Sequence, residues 1–510
     1  MACLAIAGTA QAQQVVLESP DKAIRVQGQL LSHSDISYVV QTAIGVMEVQ
    51  KASVGCTGDG CPQATVDGAD LVVRGSDTIG EELLPLLVEG YANSMEAGVR
   101  DRSEVGEDTS RLKIHEEFGA GETMMSVDVQ AAGSSTGFRS LLAGEADIAM
   151  SSRPARADEL RAAREAGLGN LTDLDQEYII AVDSILTIVS PDNPVNELSV
   201  GQMADIFSGR VSNWSEIGGP NLPVTVFTRP EASGTRGVFA TQILSPANAQ
   251  MSADAVVVGS NAEMADRVTE TAGGIGYVGF ASVRGAKPVD LIASCGIRMP
   301  ATEFSAKTEE YPLERRLRLY VDNRPGSEHR RNLLNFAIST EAEGLVRKAG
   351  FIDLGVVRNP DPLQAERLID AATEANDPFA LSALRDMLVD LNGASRLSTT
   401  FRFASGSAAL DNKAVRDLGR MIAFLGREEN AGSEVLVVGF TDADGAFSAN
   451  DALSEARAAV VLQALLDHPD AGKLANVRLR STGYGELSPV GCNTDFLGKK
   501  RNRRVEVWIR

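Results

Sequence analysis

From Ala69 to about Leu354, short apolar runs alternate with segments whose apolar residues recur every three or four positions, the rhythm of strands followed by helices. Leu71 to Arg74 reads as a strand, and Ile79, Leu83, Leu84, Leu87 and Tyr91 mark the apolar side of the helix after it. The same order recurs at Val127 to Val129, followed by Phe138, Leu141 and Leu142, and at Val224 to Phe227, followed by Val238 to Leu244. Such alternation predicts α/β layers. Residues 14–66 read differently: Val15-Val16-Leu17, Ile24-Arg25-Val26, Tyr38-Val39-Val40 and Val46-Met47-Glu48-Val49 are strand-like runs parted by polar turns, a small β-rich module. Residues 356–395 are expected to form a helical connector, with helices over Leu363 to Asn376 and Phe379 to Leu391. The last unit, 396–510, reads β-α-β-α-β, through Thr400 to Phe403, Asn412 to Leu425, Glu434 to Phe440, Asn450 to Leu466 and Arg504 to Ile509.

Composition narrows the function. A chain of 510 residues exceeds one core, and 44% hydrophobic content suits globular domains. A formal charge of −21 and only 5% aromatic residues argue against a nucleic-acid partner, which needs a basic footprint and stacking surfaces. Met1 to Ala12 is small and apolar and ends Ala10-Gln11-Ala12, resembling the remnant of a secretory signal peptide cut after Ala12. In an exported protein, Cys56 and Cys61, in a polar Gly-rich turn, read as a short-loop disulfide; a metal clip is the rival, though no other Cys or His pair with ligand spacing stands nearby. The pairing of Cys295 and Cys492 is left open. After the N-terminal segment no run of about 20 apolar residues predicts a membrane helix. The four histidines, His33, His115, His329 and His468, are scattered, and no Gly-x-Ser-x-Gly elbow is present. A non-catalytic protein without cofactor or metal is expected.

Three strand-to-helix turns share one chemistry: Gly75-Ser76-Asp77-Thr78, Gly133-Ser134-Ser135-Thr136-Gly137 and Ser233-Gly234-Thr235-Arg236-Gly237. Each should leave backbone N–H groups at a helix start, with the positive end of the helix dipole behind them. Hydroxyls add short donors and glycine admits close approach, so three converging turns would hold a tetrahedral oxyanion. Each Ser or Thr could instead serve only as an N-cap.

The region 67–355 resembles the PstS-type phosphate-binding proteins of ABC importers. The resemblance runs through Gly75-Ser76-Asp77-Thr78-Ile79, Gly133-Ser134-Ser135-Thr136-Gly137, and Ala146-Asp147-Ile148-Ala149-Met150-Ser151-Ser152-Arg153. It continues through Asn193-Pro194-Val195, Ile206-Phe207-Ser208-Gly209-Arg210, Asn213-Trp214, Ser233-Gly234-Thr235-Arg236 and Gly273-Gly274-Ile275-Gly276-Tyr277. It implies a two-lobed clamp of the periplasmic binding protein type with the anion in its cleft. Thr78 and the Ile79 backbone, Ser134, Ser152, Arg229, Ser233, Gly234 and Thr235 would be the contacts. An arginine can hold two phosphate oxygens at once; pairing with Glu231 is the alternative for Arg229. Ser152 stands where the family often has an Asp that accepts the proton of monohydrogen phosphate. A hydroxyl discriminates less against sulfate, and Asp77 is a candidate replacement.

Residues 396–510 resemble the C-terminal, peptidoglycan-binding domain of the outer-membrane protein A family. The matching residues are Phe401 to Leu410, Gly439-Phe440-Thr441-Asp442 with Gly445, Asn450, Leu453-Ser454, Arg457-Ala458, Gly483-Tyr484-Gly485-Glu486 and Asn502-Arg503-Arg504-Val505-Glu506. By that resemblance Asp442 takes the ammonium and Arg457 the carboxylate of the diaminopimelate stem peptide, with Asn450 supporting the loop. A plain Asp442–Arg457 ion pair is the alternative, and Arg503 and Arg504 read as structural pairs.

Together these features lead to the expectation of a periplasmic phosphate binder, for uptake, scavenging or sensing, held non-covalently to peptidoglycan at the cell wall or outer membrane. An inner-membrane ABC permease is a possible partner. The alternatives are an envelope structural protein with a degenerate clamp, or a binder of another oxyanion such as sulfate.

Overall fold

The computed structural model describes residues 14–19, 25–33, 37–50, 54–57, 69–106, 108–116, 123–231, 233–359, 367, 378–403 and 409–510. The expected signal remnant at 1–12, Cys61 and all but Arg367 of the expected helix Leu363 to Asn376 lie outside them. Cys56 is disulfide-bonded. The chain divides into two compact units, one over residues 1–71 with 325–332, the other over 72–324 with 333–510.

The first unit holds five strands, β1 (Gln14–Glu18), β2 (Arg25–His33), β3 (Ser37–Thr42), β4 (Gly45–Gln50) and β5 (Gly55–Thr57), in the order β4-β3-β2-β1-β5. Alternation puts Val15 and Leu17 on one face, where they meet Val26, Val40 and Val54 in a small core.

In the second unit the strands run β6 (Leu71–Gly75), β7 (Ala97–Gly106), β8 (Thr109–Glu116), β9 (Thr123–Ala131), β10 (Ile148–Ser151), β11 (Glu177–Val189), β12 (Glu197–Ser199), β13 (Thr225–Thr228), β14 (Val256–Val257) and β15 (Gly274–Gly279). They continue with β16 (Lys287–Pro288), β17 (Asp290–Ile292), β18 (Arg298–Met299) and β19 (Glu314–Tyr320). One sheet follows the order β14-β13-β15-β11-β19-β10-β6-β9-β8-β7. Helices Leu84–Ser94 and Ser134–Ala143 belong to a first lobe, around β6 to β10. Val200–Phe207, Gly234–Phe239 and Asn261–Glu270 belong to a second, around β13 to β15. The strands β11 and β19 serve both. Glu177 to Ile179 pair with Tyr320 to Arg318 beside β10, whereas Ile185 to Val189 pair with β15 in the second lobe. Ile179 to Val189 of β11 are all buried, as a strand covered on both faces requires. The hairpin β7–β8, rich in polar residues, extends the sheet beyond β9.

The C-terminal strands are β20 (Arg358–Asn359), β21 (Ser395–Phe401), β22 (Glu434–Phe440), β23 (Arg478–Gly483) and β24 (Arg504–Ile509), in the order β20-β21-β24-β22-β23. Period-two alternation splits β22: Val435 and Val437 face helices Asn412–Leu425 and Phe447–Leu466, while Leu436, Val438 and Phe440 face helix Pro378–Leu391. Ala380, Leu384, Met387 and Leu391 of that last helix, at helical spacing, complete the second core. This domain is docked on the clamp by a Cys295–Cys492 disulfide and by ion pairs, Asp411 to Arg316 (2.9 Å), Arg402 to Glu309 (3.3 Å) and Arg396 to Glu310 (2.5 Å). Among the described residues no helix is long and apolar enough to cross a membrane.

Candidate functional site

The first two turns and the end of β10 are laced into one surface of the first lobe. Ser76 donates from its amide to the Met150 carbonyl (3.0 Å), and Ala132 to that of Gly75 (2.9 Å). Gly75 has φ +139°, and a Cβ there would stand 2.2 Å from the Met150 oxygen, so only glycine closes this turn. Gly137 is constrained likewise: a Cβ would lie 2.6 Å from the Arg74 carbonyl oxygen. The helix that follows therefore starts against β6. Its N-cap is Gly133, which leaves the Ser134 hydroxyl free of capping duty. Ser134 Oγ accepts from the Ser152 amide (3.2 Å) and lies 3.4 Å from Ser152 Oγ.

Thr78 makes no capping bond either. Its Oγ1 accepts from Arg315 Nη2 at 3.1 Å, and Arg315 is in turn paired with Asp183 (2.8 Å). Asp183 and Arg315 are directly opposed on β11 and β19, the strands the lobes share. The Ile79 amide is directed at the Ser76 carbonyl (3.2 Å), an intra-turn bond within the first turn.

From the second lobe, Ser233 caps the third helix, its Oγ accepting from the Arg236 amide at 3.4 Å; here the N-cap reading holds. Gly234 faces the first lobe. A Cβ built on it would stand 3.4 Å from Thr78 Oγ1, 3.6 Å from Arg315 Nη1 and 3.7 Å from Asp77 Oδ2. The first and third turns thus meet across the cleft, and Thr235 follows directly in the same helix.

Arg229 follows β13. Its backbone is held by the buried Tyr277, whose hydroxyl accepts from the Arg229 amide (3.2 Å) and lies 2.8 Å from Thr228 Oγ1. Its Nη1 donates to Asn261 Oδ1 (2.5 Å) and Nη2 to the Gly259 carbonyl (3.0 Å), while Nε is buried without a partner. Burial holds the Arg229 pKa below the usual guanidinium value, opposed by Tyr277, Glu81 and Glu263. Burial also raises the Glu81 carboxyl, reinforced by Asp77 and Glu82 and opposed by Arg229. Glu231, the alternative partner for Arg229, pairs with Arg236 instead (3.6 Å).

Sequence reasoning missed Arg315, Asp183 and Glu81. A signal for Asp183 existed: with Ser184 it interrupts the apolar run Ile179 to Leu186, and a charge inside a buried strand needs a partner.

The C-terminal constellation is built by close helix-on-sheet approach. Cβ atoms at Gly439 and Gly483 would stand 1.9 Å from Ser454 O and 2.2 Å from Ser454 Oγ, so both glycines admit helix Phe447–Leu466. Asp442, just past β22, is paired with Arg503 (2.5 Å), not with Arg457. Arg457 lies over the Phe403 ring at 5.6 Å, and its Nη1 is buried with no partner. Burial and then Arg503 lower its pKa, while Asp442 opposes them. Asn450 is buried and donates to Glu486 Oε2 at 2.6 Å. Sequence reasoning set Arg503 aside as a structural pair; its partner is the candidate ligand residue itself.

Comparison with known proteins matches a PBP superfamily domain over residues 110–341 and the OmpA family over 402–503. Protein SphX of Synechococcus elongatus is 28% identical over 253 residues, covering 47% of this chain and 73% of SphX. The phosphate-binding protein PstS of Borreliella burgdorferi is 26% identical over 234 residues, covering 45% of this chain and 80% of that protein. An ABC-type phosphate transport receptor from Vibrio cholerae aligns with 55% of this chain and 98% of its own, at 22% identity and a TM-score of 0.43. The chain therefore joins a PBP-like domain, homologous to PstS and SphX, to a C-terminal domain of the OmpA family.

Proposed function

We propose that the cleft binds inorganic phosphate and that the C-terminal domain holds the protein to peptidoglycan in the periplasm. The observation that carries the first half is the meeting of Gly234 with Thr78, Arg315 and Asp77 across the cleft. In this reading Thr78, Ser134, Ser152, Ser233, Gly234 and Thr235 supply hydrogen bonds, while the Ile79 amide is spent on the Ser76 carbonyl, and Arg229 turns its unpartnered Nε to the anion. A bond to a charged oxygen is worth about 1.5–3 kcal/mol, so several offset the cost of desolvating the anion. The name of the PstS relative, a phosphate-binding protein, supports the same ligand and a binding rather than catalytic role.

In the second half, Asp442 takes the ammonium of a diaminopimelate stem, Arg457 its carboxylate, and Asn450 steadies the loop. The orphaned Arg457 Nη1 supports it, since a buried donor without acceptor asks for a ligand. Uptake through an inner-membrane permease, scavenging and sensing are the alternative roles open to such a protein.

Equilibrium dialysis of the full chain against labelled phosphate tests the reading. Saturable retention, competed by arsenate, is expected; no retention at millimolar phosphate contradicts it, and tighter retention of sulfate would make sulfate the ligand.

A further inference from the structure

We infer that Arg315 is a positioning residue of the anion cleft, setting the Thr78 hydroxyl as a donor to the ligand. This rests on the oxyanion reading of the cleft but assigns a residue that the family resemblance left out. A threonine hydroxyl carries one proton and accepts through its lone pairs. Arg315 Nη2 donates to Thr78 Oγ1 at 3.1 Å, and a guanidinium cannot accept, so the Thr78 proton must point elsewhere. Thr78 makes no capping bond that would use it. The space beside Gly234 is bounded by that hydroxyl and by Arg315 Nη1, so the same guanidinium also brings positive charge to the cleft floor.

The guanidinium is itself fixed. Arg315 Nε and Nη2 lie 2.9 and 2.8 Å from Asp183 Oδ2, and the two side chains are only 9% and 6% exposed. Because both stand on the strands shared by the lobes, the pair keeps its place whichever lobe moves. Asp183 balances the charge of the Arg315 guanidinium. A lysine at 315 could satisfy Asp183 but, as a single point charge, could not hold Thr78 in the same fork.

The test is phosphate calorimetry on the wild type, Arg315→Lys, the neutral pair Asp183→Asn/Arg315→Gln, Thr78→Val, and Thr78→Val combined with Arg315→Lys, each with its melting temperature. Arg315→Lys should weaken phosphate binding about tenfold or more with the fold intact, and the neutral pair should do the same. With Thr78→Val already present, Arg315→Lys should cost less than about threefold further, because the hydroxyl it orients is gone. Unchanged affinity in either folded Arg315 variant overturns the inference, as does a full tenfold loss that persists without the Thr78 hydroxyl. A wild type that takes up no phosphate overturns the underlying reading instead, a distinguishable result.

Discussion

Cys492 of the OmpA family domain is bonded to Cys295, in the turn between β17 and β18 of the second lobe, 197 positions earlier in the chain. Elsewhere between the two domains, Arg402 donates to the Thr308 carbonyl (3.0 Å), and Asn412 donates to the Thr172 carbonyl (2.8 Å) on the first-lobe side. The C-terminal domain is therefore joined to the clamp by a covalent cross-link as well as by side-chain contacts. Replacing both cysteines, Cys295→Ser/Cys492→Ser, should lower stability by on the order of 3–5 kcal/mol while leaving phosphate and peptidoglycan binding in place. Denaturant titration with both binding assays checks it.

The same interface should respond to acid. Glu309 is buried against Arg316 and Arg402, and although burial alone would raise its carboxyl pKa, the arginines hold it far below the usual carboxylate range. Glu310 beside Arg396 and Glu506 among Arg367, Arg396 and Arg504 are lowered in the same way. A carboxylate depressed in the folded state stabilises above its unfolded pKa, and that stability is lost as pH falls through the folded value. Melting temperature should therefore decline from about pH 4.5 downward. Glu314 opposes this trend: burial and Glu309 raise it, so its own contribution is present at low pH and lost as pH rises. Glu309→Gln should cost about 3–5 kcal/mol at pH 7 and flatten the acid limb of the melting curve.

Gly234 separates fold from function. A methyl there would make only ordinary contacts, the nearest being 3.4 Å, and the residue opens a helix. Gly234→Ala should leave stability unchanged or raise it by about 0.4–1 kcal/mol. The same methyl occupies the space between the first and third turns, so phosphate affinity should fall about tenfold or more. Melting and calorimetry on one sample decide both.

How far the sequence carried can be seen in particular elements. Helix Asn412–Leu425 and strands Glu434–Phe440 and Arg504–Ile509 have the ends expected of them, because each combines a strong apolar period with a clear start. Strand Arg478–Gly483 and helix Phe496–Asn502 were missed. The first is a half-buried edge strand whose Arg478 and Arg480 break the apolar pattern, and the second is a seven-residue helix with little periodicity. The three glycine-rich turns were legible from composition and place. The Arg315–Asp183 pair was not, because the residues are 132 positions apart and only strand pairing joins them. The Asp442–Arg503 pair escaped for the same reason: Arg503 lies on the helix side of a turn 61 positions later.

At the second site, Asp442→Ala and Arg457→Ala should each abolish retention on diaminopimelate-containing sacculi and leave phosphate affinity unchanged. The reciprocal should hold for Thr78→Val. Sedimentation with purified sacculi, run beside phosphate calorimetry, checks the independence of the sites; loss of both activities from one substitution would report unfolding.

The most direct test is titration of the full chain with phosphate, alongside Arg229→Ala. Saturable heat in the wild type, weakened by about tenfold or more in the variant at an unchanged melting temperature, is the predicted result. Equal phosphate binding by the two proteins, or none by the wild type at millimolar ligand, would contradict the account.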